Sequence, residues 1–327
     1  MRIAFIVDPL DELKPYKDSS IAMMRAAQAV GHSVWTIQQP SLHWTTQHGV
    51  CAEATHLVLL ETDSDWYVEG EVMIAPLRGF DAVIMRKDPP FDMEYVTSTW
   101  LLELAEADGA RIFNSPRALR DHSEKLAVAE FAGFAVPTLV AREATFIKEF
   151  IGTHRDTVLK PLDGMGGSQI FRVRDDDPNR NVIIETLTHN GRRTIMAQRF
   201  IPEITQGDKR ILIIGGEVVP YCLARIPMAG ETRGNLAAGG RGEARPLSER
   251  DREIAETLAT VLAARGLLFV GIDVIGDWLT EINVTSPTCM VEIRQQTGFD
   301  SAAMYIKAIE AACGGGAEPP AEVDEET

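Results

Sequence analysis

Three oxygen-bearing side chains near the carboxyl end, Asp273, Glu281 and Asn283, stand at spacings that bring them to one surface. The stretch around them reads as two short strands, Val270 to Ile275 and Leu279 to Val284. Both are rich in branched apolar residues, and the Gly276-Asp277 pair between them is a turn signal. Side chains two apart on a strand share a face, so Glu281 and Asn283 point the same way. A loop of about three residues sets Asp273 opposite Glu281, whereas one of about two sends it to the other face; the longer loop is the expectation. Two carboxylates and an amide oxygen gathered on an otherwise apolar hairpin repel one another and lose water, which asks for a cation. Hard oxygen ligands suit magnesium, which completes its shell with phosphate oxygens and water. An ordinary hairpin with its polar face in water is the bland alternative.

Phosphate chemistry is what the residues upstream offer. Val158-Leu159-Lys160-Pro161 reads as a strand, Asp163-Gly-Met-Gly-Gly-Ser168 as a glycine loop, and Gln169 to Val173 as a strand again. Glycines let backbone amides approach phosphate oxygens, and the Gly-Lys-Ser/Thr ending of the Walker type is absent. Further on, Asp208 is suited to accept ribose hydroxyl bonds, and Arg210 and Arg225 to face developing negative charge. Residues 226–243 are glycine-rich without hydrophobic period and read as a mobile lid that carries Arg233 and Arg241 to an anionic substrate. Arg86, at a strand's carboxyl end, could hold a substrate carboxylate, as could Ser286, Thr288 and the exposed amides of the turn after Asn283.

The elements that must position these residues begin with a near-continuous apolar strand, Arg2 to Val7. A helix follows from a Ser19 or Ser20 cap to a stop at Gly31. Strand, loop and helix in that order suggest a parallel α/β sheet, with ligands at the carboxyl ends of its strands. No Gly-x-Gly-x-x-Gly follows the first strand, so this layer is not read as a dinucleotide site. The next strand is read at Ala82 to Met85, before a loop stiffened by Pro89 and Pro90. Asp92 then caps a helix reaching to Gly109, Ser115-Pro116 opens a short helical segment, and Asp121 to Gly133 forms another that carries Lys125. Met196 to Ile201 reads as a strand, Ile211 to Ala224 as a glycine-turned hairpin, Ser248 to Arg265 as an amphipathic helix, and Asp300 to Ala312 as the last helix. Domain boundaries are expected at 1–122 (amino-terminal α/β), 123–202 (a lid domain), 203–313 (a carboxyl-terminal domain) and 314–327 (a disordered tail).

Composition limits the possibilities. A net charge of −16 over 327 residues argues against nucleic-acid or anionic-membrane partners, which would need a basic footprint. Residues 314–327 hold five acids and no base, leaving −11 for the remainder. Cys51, Cys222, Cys289 and Cys313 show no paired spacing, the amino terminus runs straight into a strand, and no apolar run approaches membrane-spanning length, so a cytoplasmic location with reduced thiols is expected. Cys222 and Cys289 read as small buried apolar side chains. His43, His48, Cys51 and His56 match no zinc spacing and read as loop residues.

The ordered set Lys125, Lys160, Asp163-Gly-Met-Gly-Gly, Gln198 to Ile201, Asp208, Arg210, Arg225, Asp273, Glu281 and Asn283 resembles the ATP-grasp superfamily over about residues 120 to 312. More narrowly, Met85 to Asp92, Lys160 to Gly167, Arg225 to Gly242 and Thr280 to Thr288 are similar to the prokaryotic glutathione synthetase family, over nearly the full length. The resemblance implies an α/β (α+β overall) protein, with an amino-terminal domain and a two-part ATP-grasp fold that clasps ATP between lid and carboxyl-terminal domains. It implies ATP-dependent joining of γ-glutamylcysteine to glycine through an acyl phosphate, with magnesium, or manganese in its place, as the ion. By that resemblance Lys125 and Lys160 hold ATP phosphates and the adenine side, Gly164, Gly166 and Gly167 the phosphates, and Gln198 and Phe200 belong to the nucleotide site. Backbone groups of Arg199 and Ile201 bond adenine, Asp208 the ribose, and Asp273, Glu281 and Asn283 the metal. Arg210, Arg225 and Arg233 serve catalysis, and Arg86, Arg225, Arg233, Asn283, Ser286, Pro287 and Thr288 the substrate. It also implies a homotetramer. Two other readings stay open: an ATP-grasp ligase with another acceptor, of the D-alanine-D-alanine or ribosomal-protein-tail type, and a nucleotide-binding regulatory module that has lost catalysis.

Overall fold

The computed structural model describes residues 1–314 except 165, 232, 235, 237 and 238; the expectation of a disordered tail falls outside them beyond Gly314. The described residues form three sheets in chain order, each packed with helices.

The first sheet contains β1 (Arg2–Val7), β2 (Ser33–Gln38), β3 (His43–Thr45), β4 (Gly49–Leu59), β5 (Tyr67–Pro76), β6 (Ala82–Met85) and β7 (Ile112–Phe113). Its centre is parallel, with β1 between β2 and β6 and β7 beyond β6. The expected all-parallel layer is extended by antiparallel β4, β3 and β5. β5 is exposed along most of its length and β4 mixes exposed with buried residues, which marks a sheet margin open to water, unlike the continuous buried run of β1. His43 and Cys51 are therefore register partners on strands and not loop residues, and His56 rests on the Trp35 ring, centroids 5.2 Å apart. Helix α1 (Ser19–Ala29) is capped by Asp18, one residue before the expected serines. Asp18 Oδ1 accepts from the Ser20 and Ile21 amides at 2.7 and 3.0 Å. Asp92 caps α2 (Met93–Ala107) as its sequence foretells, and Pro116 opens α3 (Pro116–Asp121). The segment carrying Lys125 is a tightly wound 3₁₀ helix only from Leu126, not from Asp121, and Lys125 sits at its N-cap.

The second sheet has the order β10-β9-β11-β8, from β8 (Thr138–Ala141), β9 (Asp156–Pro161), β10 (Phe171–Arg174) and β11 (Ile195–Arg199). Helices α4 (Ala144–His154) and α5 (Arg180–Leu187) cover one side with a small core of its own, centred on Ile147, Ile151, Leu159, Ile184 and Ile195. The third sheet runs β14-β13-β12-β15-β16, from β12 (Asp208–Ile214), β13 (Glu217–Ile226), β14 (Arg241–Pro246), β15 (Phe269–Ile275) and β16 (Trp278–Asn283). Helix α6 (Glu249–Ala264) begins with a capping box in which Ser248 and Asp251 each bond the other's amide at 3.1 Å. Two helices end the described residues, α7 (Met290–Thr297) and α8 (Ser301–Gly314). Two apolar clusters each draw side chains from both the first and the third sheet, which fixes those two layers together.

Candidate active site

The hairpin β15–β16 reaches the expected pairing by an unexpected route. Its turn has two residues, Gly276 and Asp277, because Ile275 pairs with Trp278. The ladder then slips: Val274 faces Leu279, and Asp273 faces Glu281, so that Thr280 is the extra residue of a β-bulge. The bulge restores what a two-residue turn would have lost. Asp273, Glu281 and Asn283 share the face away from the core, while Ile272, Val274, Leu279 and Ile282 fill the core.

A segment from the first sheet's end covers the edge of β16. The Ile282 amide donates to the Glu124 carbonyl at 2.9 Å, and His122 Nε2 lies 3.1 Å from the Ile282 carbonyl oxygen. Covering an exposed edge satisfies its backbone, and here it also delivers Lys125. Lys125 Nζ lies 2.9 Å from Glu281 Oε1 and donates to the Gly164 carbonyl of the glycine loop. Lys160, on β9, donates to the carbonyl of the bulged Thr280 at 3.3 Å. Burial holds the Lys160 ammonium below its ordinary range, against the pull of Glu281. Two lysines from different elements thus join the glycine loop and second sheet to the acidic face of the third.

Opposite them, Arg210 grips Asp273 with both ends of its fork, Nε at 2.5 Å and Nη2 at 3.0 Å. Arg225 Nη2 reaches Asp273 at 2.9 Å and Asp208 at 2.5 Å. Burial alone would raise the Asp273 carboxyl, and the two guanidinium groups overcome it, holding Asp273 below the usual carboxylate range. Asp208 responds the other way: burial pushes it up, despite Arg225, and its Oδ1 is buried with no hydrogen-bond partner. Gly271, beside Asp273, is needed for packing, since a Cβ there would lie 2.9 Å from Arg210 Cδ and 3.0 Å from Pro287 Cβ.

Lys125, Lys160, Asp208, Arg210, Arg225, Asp273, Glu281 and Asn283 line one cleft of about 640 Å³, a volume suited to a nucleotide and a small substrate. Its second-sheet wall contains Gly164, Gly166, Gly167, Gln198, Arg199, Phe200 and Ile201; its third-sheet wall Asp208, Arg210, Arg225, Asp273, Glu281 and Asn283; its far end Ser286, Pro287 and Thr288. Gly166 and Gly167 take φ of +62° and +79°, which favours glycine at both. The Arg199 amide donates to the Pro137 carbonyl at 3.0 Å. Proline has no N–H to return that bond, which leaves the Arg199 carbonyl without a backbone donor on that side. Among the described residues the Ile201 amide has no partner either.

Arg86 stands apart from the sequence expectation. It is buried behind the cleft wall, where Nε donates to Ser20 Oγ at 3.0 Å and Nη2 to the Pro287 carbonyl at 2.9 Å, so it supports the 286–288 turn and does not line the cleft. Arg233 lines the cleft but is half-exposed and paired with Glu231 at 2.7 Å. Residues 241–243, read as part of an irregular lid, are the start of β14 and pair with β13. Glu124 is a positioning residue that the sequence reading passed over. One oxygen accepts from the Val284 amide, the Thr285 amide and the Thr285 hydroxyl at 2.9, 3.1 and 3.0 Å, and its adjacency to Lys125 was the available signal. Cys289 holds φ of +91° at the start of α7, a strained conformation for any residue with a side chain. It is buried, as is Cys222, whose thiol burial pushes up to about 11.

Comparison with known proteins agrees over nearly the full length. The description "Prokaryotic glutathione synthetase, N-terminal domain" matches residues 1–120, and "Prokaryotic glutathione synthetase, ATP-grasp domain" matches residues 124–298. A glutathione synthetase of Ralstonia nicotianae is 62% identical over 316 residues, covering 96% of this chain and 97% of its own. One of Nitrosomonas europaea is 60% identical, covering 95% and 98%. Among solved structures, the D-cycloserine synthetase DcsG superposes with a TM-score of 0.65 at 16% identity, over 95% of this chain and 99% of the other. The ATP-grasp ligase PsnB, complexed with minimal precursor, Mg and ADP, superposes with 0.60 at 18% identity, over 95% and 98%. Likeness at such low identity speaks for the fold alone.

Proposed function

The chain belongs to the prokaryotic glutathione synthetase family, and from that premise we propose how its cleft carries out the reaction. The protein is an ATP-dependent ligase that joins γ-glutamylcysteine to glycine, giving glutathione, ADP and phosphate. A carboxylate is a poor electrophile at neutral pH. The cysteinyl carboxylate oxygen therefore attacks the γ-phosphorus of ATP and ADP leaves. The glycine amine then attacks the acyl carbon of the acyl phosphate, forming the peptide bond as inorganic phosphate leaves and the amine nitrogen gives up a proton.

Each residue's part follows from its surroundings. Lys125 and Lys160 neutralise nucleotide phosphates beside the 164–167 glycines, where Gly166 and Gly167 turn the backbone inward. The open Arg199 carbonyl and Ile201 amide bond the adenine edge, and the unpartnered Asp208 Oδ1 accepts a ribose hydroxyl. Arg210 and Arg225 face the transferring phosphoryl group, where charge gathers in the transition state.

The donor set of the paired face, two carboxylates and one amide, fits a hard divalent ion, and Asp273, Glu281 and Asn283 are its proposed holders. When bound, magnesium or manganese neutralises the phosphate charge during transfer. The 226–243 segment keeps water from the acyl phosphate. Gly234 supports this, since it lies close against the Arg225 carbonyl and 3.2 Å separates its would-be Cβ from Asp208 Cβ. The divisions 1–122, 123–202 and 203–313 are the proposed working parts.

The observation that carries this reading is the Asp273–Glu281 pair enclosed by Lys125, Lys160, Arg210 and Arg225 in one cleft. Phosphate release with ATP and γ-glutamylcysteine, with and without glycine, tests it. Glycine is expected to raise turnover and to yield the tripeptide. Equal release with a D-alanine pair instead would favour the other ligase class.

A further inference from the structure

At the end of the cleft away from the second sheet, the amino ends of α1 and α7 meet. The Met290 amide donates to Ser19 Oγ at 3.3 Å, and Arg86 binds both Ser20 and the Pro287 carbonyl. Asp8, Glu12, Lys14, Lys17, Asp18, Asp88 and Glu292 line the cleft here, together with Ser286 to Cys289. Most of these charges are already engaged or lie open to water. Asp8 pairs with Lys87 at 2.5 Å, Asp18 caps α1, and Glu12 and Asp88 are exposed. Glu292, in the first turn of α7, differs: its Oε2 is buried and has no hydrogen-bond partner. Lys17, whose positive charge acts on Glu292, makes no ion pair among the described residues and lies 5.9 Å from the Tyr16 ring centroid.

The donor named above must place its cysteinyl carboxylate among Arg210, Arg225 and the phosphates. Its other end, an amino-acid head with one ammonium and one carboxylate, then extends away from the nucleotide, toward α1 and α7. We propose that Glu292 receives the ammonium of that γ-glutamyl head and Lys17 its α-carboxylate, which makes them the residues that select a free amino-acid head on the donor. The inference rests on the ligase reading and adds the chemistry of donor recognition to it. Burial raises the Glu292 carboxyl, opposed first by its own backbone amide and then by Lys17. An unpartnered buried oxygen is costly, and a substrate ammonium removes that cost.

Phosphate release in the intact enzyme with ATP and glycine tests this with three donors: γ-glutamylcysteine, glutarylcysteine, which lacks the ammonium, and 4-aminobutyrylcysteine, which lacks the α-carboxylate. In the unaltered protein each truncated donor is expected to lose roughly tenfold to a hundredfold in kcat/KM, the effect of one charge-assisted hydrogen bond. Glu292→Gln should lose a similar factor with γ-glutamylcysteine and react with it and glutarylcysteine about equally, while KM for ATP stays unchanged. Glu292→Asp should restore part of the preference, and Lys17→Ala should erase discrimination against 4-aminobutyrylcysteine alone. A Glu292→Gln enzyme that still prefers the ammonium-bearing donor by the full factor overturns the proposal. If that variant releases no phosphate, calorimetric binding of γ-glutamylcysteine in the presence of ADP decides: weakening is expected, and undiminished affinity overturns it. An unaltered protein inactive with γ-glutamylcysteine would instead refute the ligase reading itself.

Discussion

Asp273 faces Glu281 across the β15–β16 ladder because Thr280 is bulged out between two registers. The Thr280 hydroxyl donates to the Asp273 carbonyl at 3.1 Å, and the Thr280 carbonyl accepts from Lys160. Thr280→Val keeps the shape and removes the first of these bonds. Stability should fall by about 1 kcal/mol in denaturant unfolding, with kcat/KM reduced severalfold as the bulge loosens. An unchanged unfolding midpoint would mean that the ladder alone fixes the bulge.

Gly271 is predicted to be intolerant of the smallest side chain. A methyl there meets Arg210 and Pro287, both packed against cleft residues, so Gly271→Ala must displace one of them. A shift of about 1 Å at a catalytic group costs on the order of a hundredfold in rate. Steady-state kinetics should show kcat falling far more than the melting temperature does. Normal kcat would show that the third sheet absorbs the methyl elsewhere.

Glu124 fixes the turn that follows the acidic face, through three bonds to one of its oxygens. Glu124→Ala leaves the Val284 and Thr285 amides without that acceptor, at about 1–3 kcal/mol each where they are buried. The 284–288 turn should then loosen, raising KM for the dipeptide about tenfold while KM for ATP holds. A parallel rise in both constants would place Glu124 with the nucleotide.

His122 gives the fold a pH dependence of known sign. Burial, opposed by its bond to the Ile282 carbonyl, holds the imidazole below its ordinary 6.5. A depressed histidine contributes stability that is present above pH 6.5 and is lost as the pH falls from there through the lower folded value. His122→Gln retains a donor for Ile282 and does not titrate. Urea unfolding from about pH 8 down to about pH 5.5 should show the difference between the two proteins shrinking toward acid. Parallel curves would assign the acid loss to other groups.

Much of this site was legible in the residues. The acidic face, the glycine loop with Lys160 and the arginine pair came from residue type and spacing, since strand periodicity and turn glycines are local signals, whereas the role of Lys125 came from the family resemblance alone. Arg86 was misread because a charged residue at a strand end looks the same whether it faces a ligand or supports a neighbouring turn. Here the partner, Pro287, lies 201 residues away in sequence. The Asp273–Glu281 pairing was right for the wrong reason, as a bulge leaves no composition signal apart from its neighbours. The antiparallel margin from β2 to β5 and the second sheet's helices α4 and α5 went unread. Their patterns are half-exposed and their fold depends on partners elsewhere in the chain.

The most direct measurement is the Mg²⁺ dependence of ADP and glutathione formation in the unaltered protein and in Glu281→Gln. If Asp273, Glu281 and Asn283 hold the ion, the variant should need at least about tenfold more Mg²⁺ for half-maximal rate, with ATP binding in the absence of metal retained. A Glu281→Gln enzyme with the unaltered protein's Mg²⁺ requirement would contradict the account.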